Sequence, residues 1–445
     1  MSAMEPSAPE GTAKGSQWSE ASITSAPLAM SSTLPDREPQ ERPDKSARRK
    51  QDEVISTSKD DLHGLPPSKE PILRQPFMIG GKKPGISDII RQLTPCSQEW
   101  YKAVPMNWQV NPAKNLEKLP SPKVQDARSP AMLLLGGVNI SSLSEVLTGS
   151  LMLRYNIEER KWNSCNPMPI LRYGHRCVYF NEEVYMIGGF DNRDATHGLR
   201  MSTSTCFVFN VREGEWRNAA PMNQSRGYHA VAVLEDRIYA VGGVDTTDVF
   251  LSSVEWYSAD DDTWTILEKE LYKGRMGMAA AAFKGNLWVV GGIVQITPQH
   301  TCATAYVEIY NPKQKQWTYA ASYLSTPRAC ATLLNVDDTE LYCFGGIFYD
   351  PSNATRRLIT CNDIAAYVDA HTAWKKVATM PEPRHNAHLL RFKDRTFLVG
   401  GQSMESPSKQ LTSIVVDDGK FKWKSVGVVP LPISAYGIVI IPPSE

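Results

Sequence analysis

His385 and His388 stand three apart in the segment HNAH, the closest histidine pair in the chain. A shared metal or an acid–base relay is the chemistry such a pair could do. On a strand, residues three apart point to opposite faces, so the two make a poor joint site. The eight cysteines, Cys96, Cys165, Cys177, Cys206, Cys302, Cys330, Cys343 and Cys361, are scattered, with no C-x-x-C pair of the kind zinc sites use. Most stand in or beside apolar runs, where a reduced thiol behaves as a small hydrophobe. No nucleophile elbow, phosphate-cradling glycine loop or metal-spaced cluster occurs. The reading is therefore no catalytic residue, no metal and no cofactor. A different series stands out. Arg172, Arg226, Arg275, Arg328 and Arg384 each precede a Gly-Gly pair by 16 or 17 residues. Guanidinium groups bind carboxylates bidentately, so the chemistry on offer is recognition of acidic groups.

The elements that must position these arginines are repeated. A Gly-Gly pair closes an apolar run six times, as AMLLLGG, VYMIGG, IYAVGG, LWVVGG, LYCFGG and TFLVGG, at intervals of 49 to 55 residues. Each pair is followed by a tryptophan: Trp162, Trp216, Trp264, Trp317, Trp374 and Trp423. Seven residues before each tryptophan stands Tyr155, Phe209, Tyr257, Tyr310, Tyr367 or Val416. Each unit offers four strand-like runs with turn residues between them. One such sheet cannot cover its own two apolar faces. Arranged radially, every sheet is covered by its neighbours.

Paired glycines, spaced Tyr and Trp and the preceding Arg, at a period near 50, resemble the kelch repeat. The resemblance covers residues 131–445 and implies an all-β fold, a kelch β-propeller. Six blades are expected, with seven as the alternative. The segment ISAYGIVIIPP matches the opening strand of a unit, and the unit that starts at Ala131 lacks one. Residues 433–441 are therefore expected to complete that first blade and hide an open edge. Residues 73–130 carry a further Gly-Gly at 80–81 and Trp100, and read as a degenerate unit with a linker. Residues 1–72, dense in Ser, Pro and charge, read as a disordered tail, with the basic cluster Lys45–Lys50 as solvated charge.

Lys+Arg and Asp+Glu both number 48, so no basic stripe marks a nucleic-acid binder. No membrane-length apolar run occurs, and the first residues show no secretory pattern. The expected location is cytoplasmic, with the cytoskeleton and the nucleus as alternatives, and the sequons at Asn139, Asn223 and Asn353 read as chance matches. The arginines stand just before the strands expected to line the central channel. They are expected to form a basic mouth of Arg172, Arg226, Arg275, Arg328 and Arg384, flanked by Tyr173, Tyr228 and His385. In the kelch adaptors of cullin-3 ubiquitin ligases, which these units resemble, the equivalent face grips short, often acidic, peptides. The resemblance thus implies a protein or acidic-peptide partner, with neither nucleic acid nor membrane bound. Those adaptors carry BTB and BACK domains ahead of the propeller, and residues 1–130 resemble neither. The arrangement is also similar to that of scruin, a kelch protein without BTB that binds actin. Galactose-oxidase-like and sugar-isomerising propellers are the enzymatic alternative.

Overall fold

The computed structural model describes residues 129–139, 149–191, 201–297, 300–349, 358–367, 374–404, 407–417 and 420–443. The expected tail and degenerate unit, with Cys96 and Lys45–Lys50, lie outside the described residues apart from Ser129 and Pro130, as does Asn353. The described residues contain no helix and form six four-stranded antiparallel sheets plus several two- or three-stranded pieces. In the third sheet the strands are Ala230–Leu234, Arg237–Val241, Val254–Ser258 and Thr263–Ile266, paired in chain order.

The second strand of each sheet is the apolar run before the glycines, and its continuity has a direct cause. Successive side chains on a strand face opposite ways, and here both faces are buried. Ile238 and Ala240 join a core with Tyr185, Ile187 and Val208 of the second sheet. Tyr239 and Val241 join the next core, with Leu287, Val289 and Trp317 of the fourth. The same alternation places Leu341 and Cys343 toward the fourth sheet and Tyr342 and Phe344 toward the sixth. Met132, Leu134 and Leu153 of the first sheet share a core with Phe397, Val399 and Leu411 of the sixth. Leu133 and Leu135 share one with Val184 and Met186 of the second. Fully burying a Val, Leu, Ile or Phe side chain contributes about 1.5–3 kcal/mol, so these shared cores carry the fold.

Gly437–Ile441 pairs antiparallel with Ala131–Leu135, Ala131 opposite Ile441 and Leu135 opposite Gly437. The opening strands touch one another in succession: Gly437–Ile441, Arg176–Phe180, Ala230–Leu234, Ala279–Phe283, Thr332–Val336 and His388–Phe392, the last again beside Gly437–Ile441.

The spacing of seven between aromatic and tryptophan is set by a turn. Tyr155 lies opposite Trp162, Phe209 opposite Trp216, Tyr257 opposite Trp264 and Tyr310 opposite Trp317. Their ring centroids are 5.0–5.2 Å apart. Asn156, Asn210 and Asn311 each accept two backbone N–H bonds through Oδ1, fixing the reversal. The sixth sheet departs from this. Its hairpin is two residues tighter, so Val416 faces Phe421, and Trp423 faces Ile414.

Candidate functional site

The arginines are placed where the series predicts, but they do not make an exposed mouth. Arg172, Arg226, Arg275 and Arg328 are at most 1% exposed and Arg384 5%. Each guanidinium Nη1 donates to the carbonyl of the first glycine of its own unit: Arg172 to Gly188, Arg226 to Gly242, Arg275 to Gly291, Arg328 to Gly345 and Arg384 to Gly400, at 2.9–3.2 Å. The spacing of 16 or 17 is the reach this bond requires. In turn the carbonyl of each arginine accepts a bond from the second glycine of the preceding unit: Gly137 to Arg172, Gly189 to Arg226, Gly243 to Arg275, Gly292 to Arg328 and Gly346 to Arg384. The arginine therefore ties its own glycine turn with its side chain and its neighbour's with its backbone. The first glycines carry positive φ, and a Cβ on Gly291 would lie 2.3 Å from the Arg328 carbonyl oxygen, so no other residue fits.

The units differ in what else surrounds the guanidinium. Glu255 pairs with Arg226 at 2.9 Å, both side chains wholly buried, and also accepts from the Asn223 and Gln224 backbone amides. Glu308 pairs with Arg275 in the next unit. Burial lowers both arginines below the usual guanidinium range and raises Glu308 above the usual carboxylate range. The desolvation thus outweighs the attraction, as expected of a buried pair. In the second unit Phe207 takes the glutamate's place, with Arg172 5.9 Å above its ring.

The remaining expected contacts are also internal. Tyr173 and Tyr228 are 3% and 4% exposed and belong to one apolar cluster with Phe190, Val244, Met276 and Ile293. Tyr173 stacks on Phe190 at 5.2 Å. His385 is buried, its Nε2 2.9 Å from Gln402 Nε2 and its Nδ1 3.1 Å from Thr360 Oγ1. The expected basic mouth is corrected on this point. A guanidinium that satisfies buried carbonyls cannot also present itself to a partner. Nor do His385 and His388 share a site, for His388 packs on Tyr436 at 4.8 Å.

Two residues beyond each arginine position the backbone is left-handed: Gly174, Tyr228, Gly277, Cys330, Asn386 and Ala435 have φ between 49° and 61°. Non-glycine residues hold this conformation only when surroundings over-determine it. Here a chain of backbone bonds does so. Gly174 N donates to Ala435 O, Tyr228 N to Gly174 O, Gly277 N to Tyr228 O, Cys330 N to Gly277 O and Asn386 N to Cys330 O, at 2.6–3.0 Å. The chain links residues of all six sheets.

Two features escaped sequence reasoning. Arg176 stands two positions past that chain, where other units carry Ala230, Ala279, Thr332, His388 and Gly437. Its charge acts on His229, His388 and Cys330, which belong to three other sheets. The second is a tyrosine cluster at the end of the fourth sheet. Tyr272, Tyr319 and Tyr323 are 54%, 40% and 47% exposed, with half-buried Tyr306 among them. Tyr272 stacks on Tyr319 at 4.5 Å, and Tyr306 lies 5.4 Å from Tyr319 and 6.4 Å from Tyr323.

A family model described as the Attractin/LZTR1 beta-propeller matches residues 132–424. The chain belongs to this kelch-repeat β-propeller family. It is similar to alpha-scruin of Limulus polyphemus, 28% identical over 322 residues that make up 72% of this chain and 34% of scruin. It is similar to Kelch-like protein 36 of Bos taurus, 26% identical over 278 residues, 62% of this chain and 43% of that one. The chain thus spans less than half the length of either relative. Among solved structures, that of YjhT superposes with a TM-score of 0.55 and 14% identity, covering 68% of this chain and 99% of that one, which shows the fold alone. Together with the scruin and Kelch-like relatives, the family match marks the described residues as a kelch-type propeller.

Proposed function

We propose that the six sheets form a six-bladed ring, joined by the pairing of Ala131–Leu135 with Gly437–Ile441, that binds a protein partner without catalysing a reaction. The shared core of first and sixth sheets and the backbone chain through all six units support the ring. The observation that carries the binding reading is the tyrosine cluster. Aromatic rings are enriched at the centres of protein interfaces and are over-represented among the residues that dominate binding energy. Four tyrosines clustered at the edge of one sheet are not needed by the core, which the neighbouring Tyr310 and Trp317 already fill.

The partner is an actin-containing or a cullin-3-containing assembly, in the cytoplasm. The actin reading is favoured because the scruin match extends over more of the chain than the Kelch-like one. Co-sedimentation with filamentous actin tests it. The protein should pellet with filaments, and the doubly substituted Tyr272→Ala, Tyr319→Ala variant should stay in the supernatant while folded. Recovery of cullin-3 and no actin on affinity purification would turn the reading to the ligase. Equal pelleting by the variant would remove the tyrosine cluster from the interface.

A further inference from the structure

Arg176 opens the first strand of the second sheet and is partly accessible, yet its guanidinium makes no hydrogen bond or ion pair with any described residue. Every recurring arginine, by contrast, donates to the carbonyl of its glycine and to at least one further group. Its electrostatic neighbours locate it. They are Cys177 of its own strand, Tyr228 and His229 of the third sheet, Cys330 of the fifth and His388 of the sixth. The opening strands of the six sheets touch one another in succession, so Arg176, at the start of one of them, lies beside the axis they surround. The equivalent positions in the other units are small, apart from His388, which leaves room for the long side chain.

The described groups around it supply no counter-charge. Burial holds His175 and His229 well below the ordinary imidazole range and pushes His388 down to about 3, so all three are neutral near pH 7. Burial likewise raises Cys177 and pushes Cys330 up to about 12, which keeps both thiols protonated. No carboxylate is among the groups acting on Arg176. Arginine does not deprotonate in proteins, so among the described residues Arg176 is a cation with unused donors in a fixed fork. An unpaired charge inside a protein is costly, and a mobile ligand of opposite sign relieves it.

We infer that the axis of the propeller is a binding site for one small oxyanion, carboxylate or phosphate, held by the Arg176 guanidinium. The inference rests on the ring proposed above. The fork matches two oxygens of either group, and the charge of the guanidinium repels cations.

The test uses the full chain at constant ionic strength, with inorganic phosphate in one arm and succinate in the other. Wild-type protein should show saturable binding of one anion per chain by calorimetry, with a melting temperature that rises with ligand. The arm that binds tighter identifies the source. Arg176→Met should lose at least tenfold in affinity and the ligand-dependent rise, while Arg217→Ala, altered at an exposed arginine, should keep both. Broadening of the phosphorus resonance of phosphate, or of the methylene proton resonance of succinate, by wild-type protein gives a second readout that needs no variant. Absence of saturable binding of either anion to wild type, or equal binding by Arg176→Met, would overturn the inference. Hydrogen exchange separates this from failure of the ring: amides of Gly437–Ile441 as protected as those of Ala131–Leu135 leave the ring standing, whatever the anion does.

Discussion

Arg226 and Arg176 are both cations within the protein, and they are treated in opposite ways. Arg226 occupies the position that recurs in every unit but one. It donates to two carbonyls, to Ser253 Oγ, to Gln224 and to Glu255. Arg176 occupies a position filled by small residues in most units and is held by none of these. On the proposal of a ring with an axial anion, what recurs in this chain ties the units together and what occurs once meets a ligand. The tyrosine cluster obeys the same rule, since Tyr319 stands at the place of Ile266 in the preceding unit.

The largest effect expected from this contrast comes from the seam. Removing residues 433–443 strips the strand paired with Ala131–Leu135 and takes Tyr436 and Ile438 from the core shared by first and sixth sheets. Circular dichroism melts should lose their single cooperative transition, and light scattering should report aggregation through the bared edge. A monomeric truncation with an unchanged melt would mean that the last strand joins nothing.

Next in size is the buried pair. Glu255→Ala leaves Arg226 charged and short of its acceptor, and should cost about 3–5 kcal/mol in urea unfolding. Arg172 has Phe207 at the glutamate's place, so Phe207→Ala should act through lost packing alone, about 3–5 kcal/mol where fully buried and less here, where Phe207 is only partly so. If Glu255→Ala is as stable as the parent, the pair is not a structural element.

Acid should weaken the fold more gradually. His175, His229 and His388 are kept neutral by burial in the folded chain, whereas in the unfolded chain they titrate near the ordinary value of about 6.5. Below that pH the unfolded chain binds more protons. Stability should therefore fall as pH falls, by about 1.4 kcal/mol per unit for each histidine, and for His388 down to about pH 3. Urea midpoints that do not move between pH 7 and 5.5 would contradict the burial of these rings. Smallest of all is the effect of Tyr319→Ala on stability, within about 0.5 kcal/mol for an exposed side chain. A larger loss, read by the same urea titration, would make the cluster part of the scaffold.

The sequence displays the scaffold plainly because six near-copies average away accident. Gly-Gly, Trp and the aromatic seven before it are legible because a fixed turn holds them in register. The sixth hairpin misleads for the same reason: Asp417 and Lys420 bracket a shorter turn, and Phe421 takes the place opposite Val416. For the arginines, position was legible and direction was not. A spacing of 16 to a glycine carbonyl is a bond length expressed in residues, yet a mouth and a brace share that spacing. Glu255 and Glu308 offered a clue, as single carboxylates inside the apolar strands VEWYS and VEIYN, where a charge must have a partner. Arg176 left no periodic trace and became visible only through what surrounds it.

Whether the recurring arginines build the ring or face a partner can be read from one variant. Arg226→Ala combined with Arg328→Ala removes one guanidinium paired with Glu255 and one that serves the Gly345 and Asp363 carbonyls. Equilibrium urea unfolding should show a loss of more than about 3 kcal/mol, dominated by the stranded Glu255. A variant that unfolds at the parental midpoint would contradict the account and return these arginines to the surface.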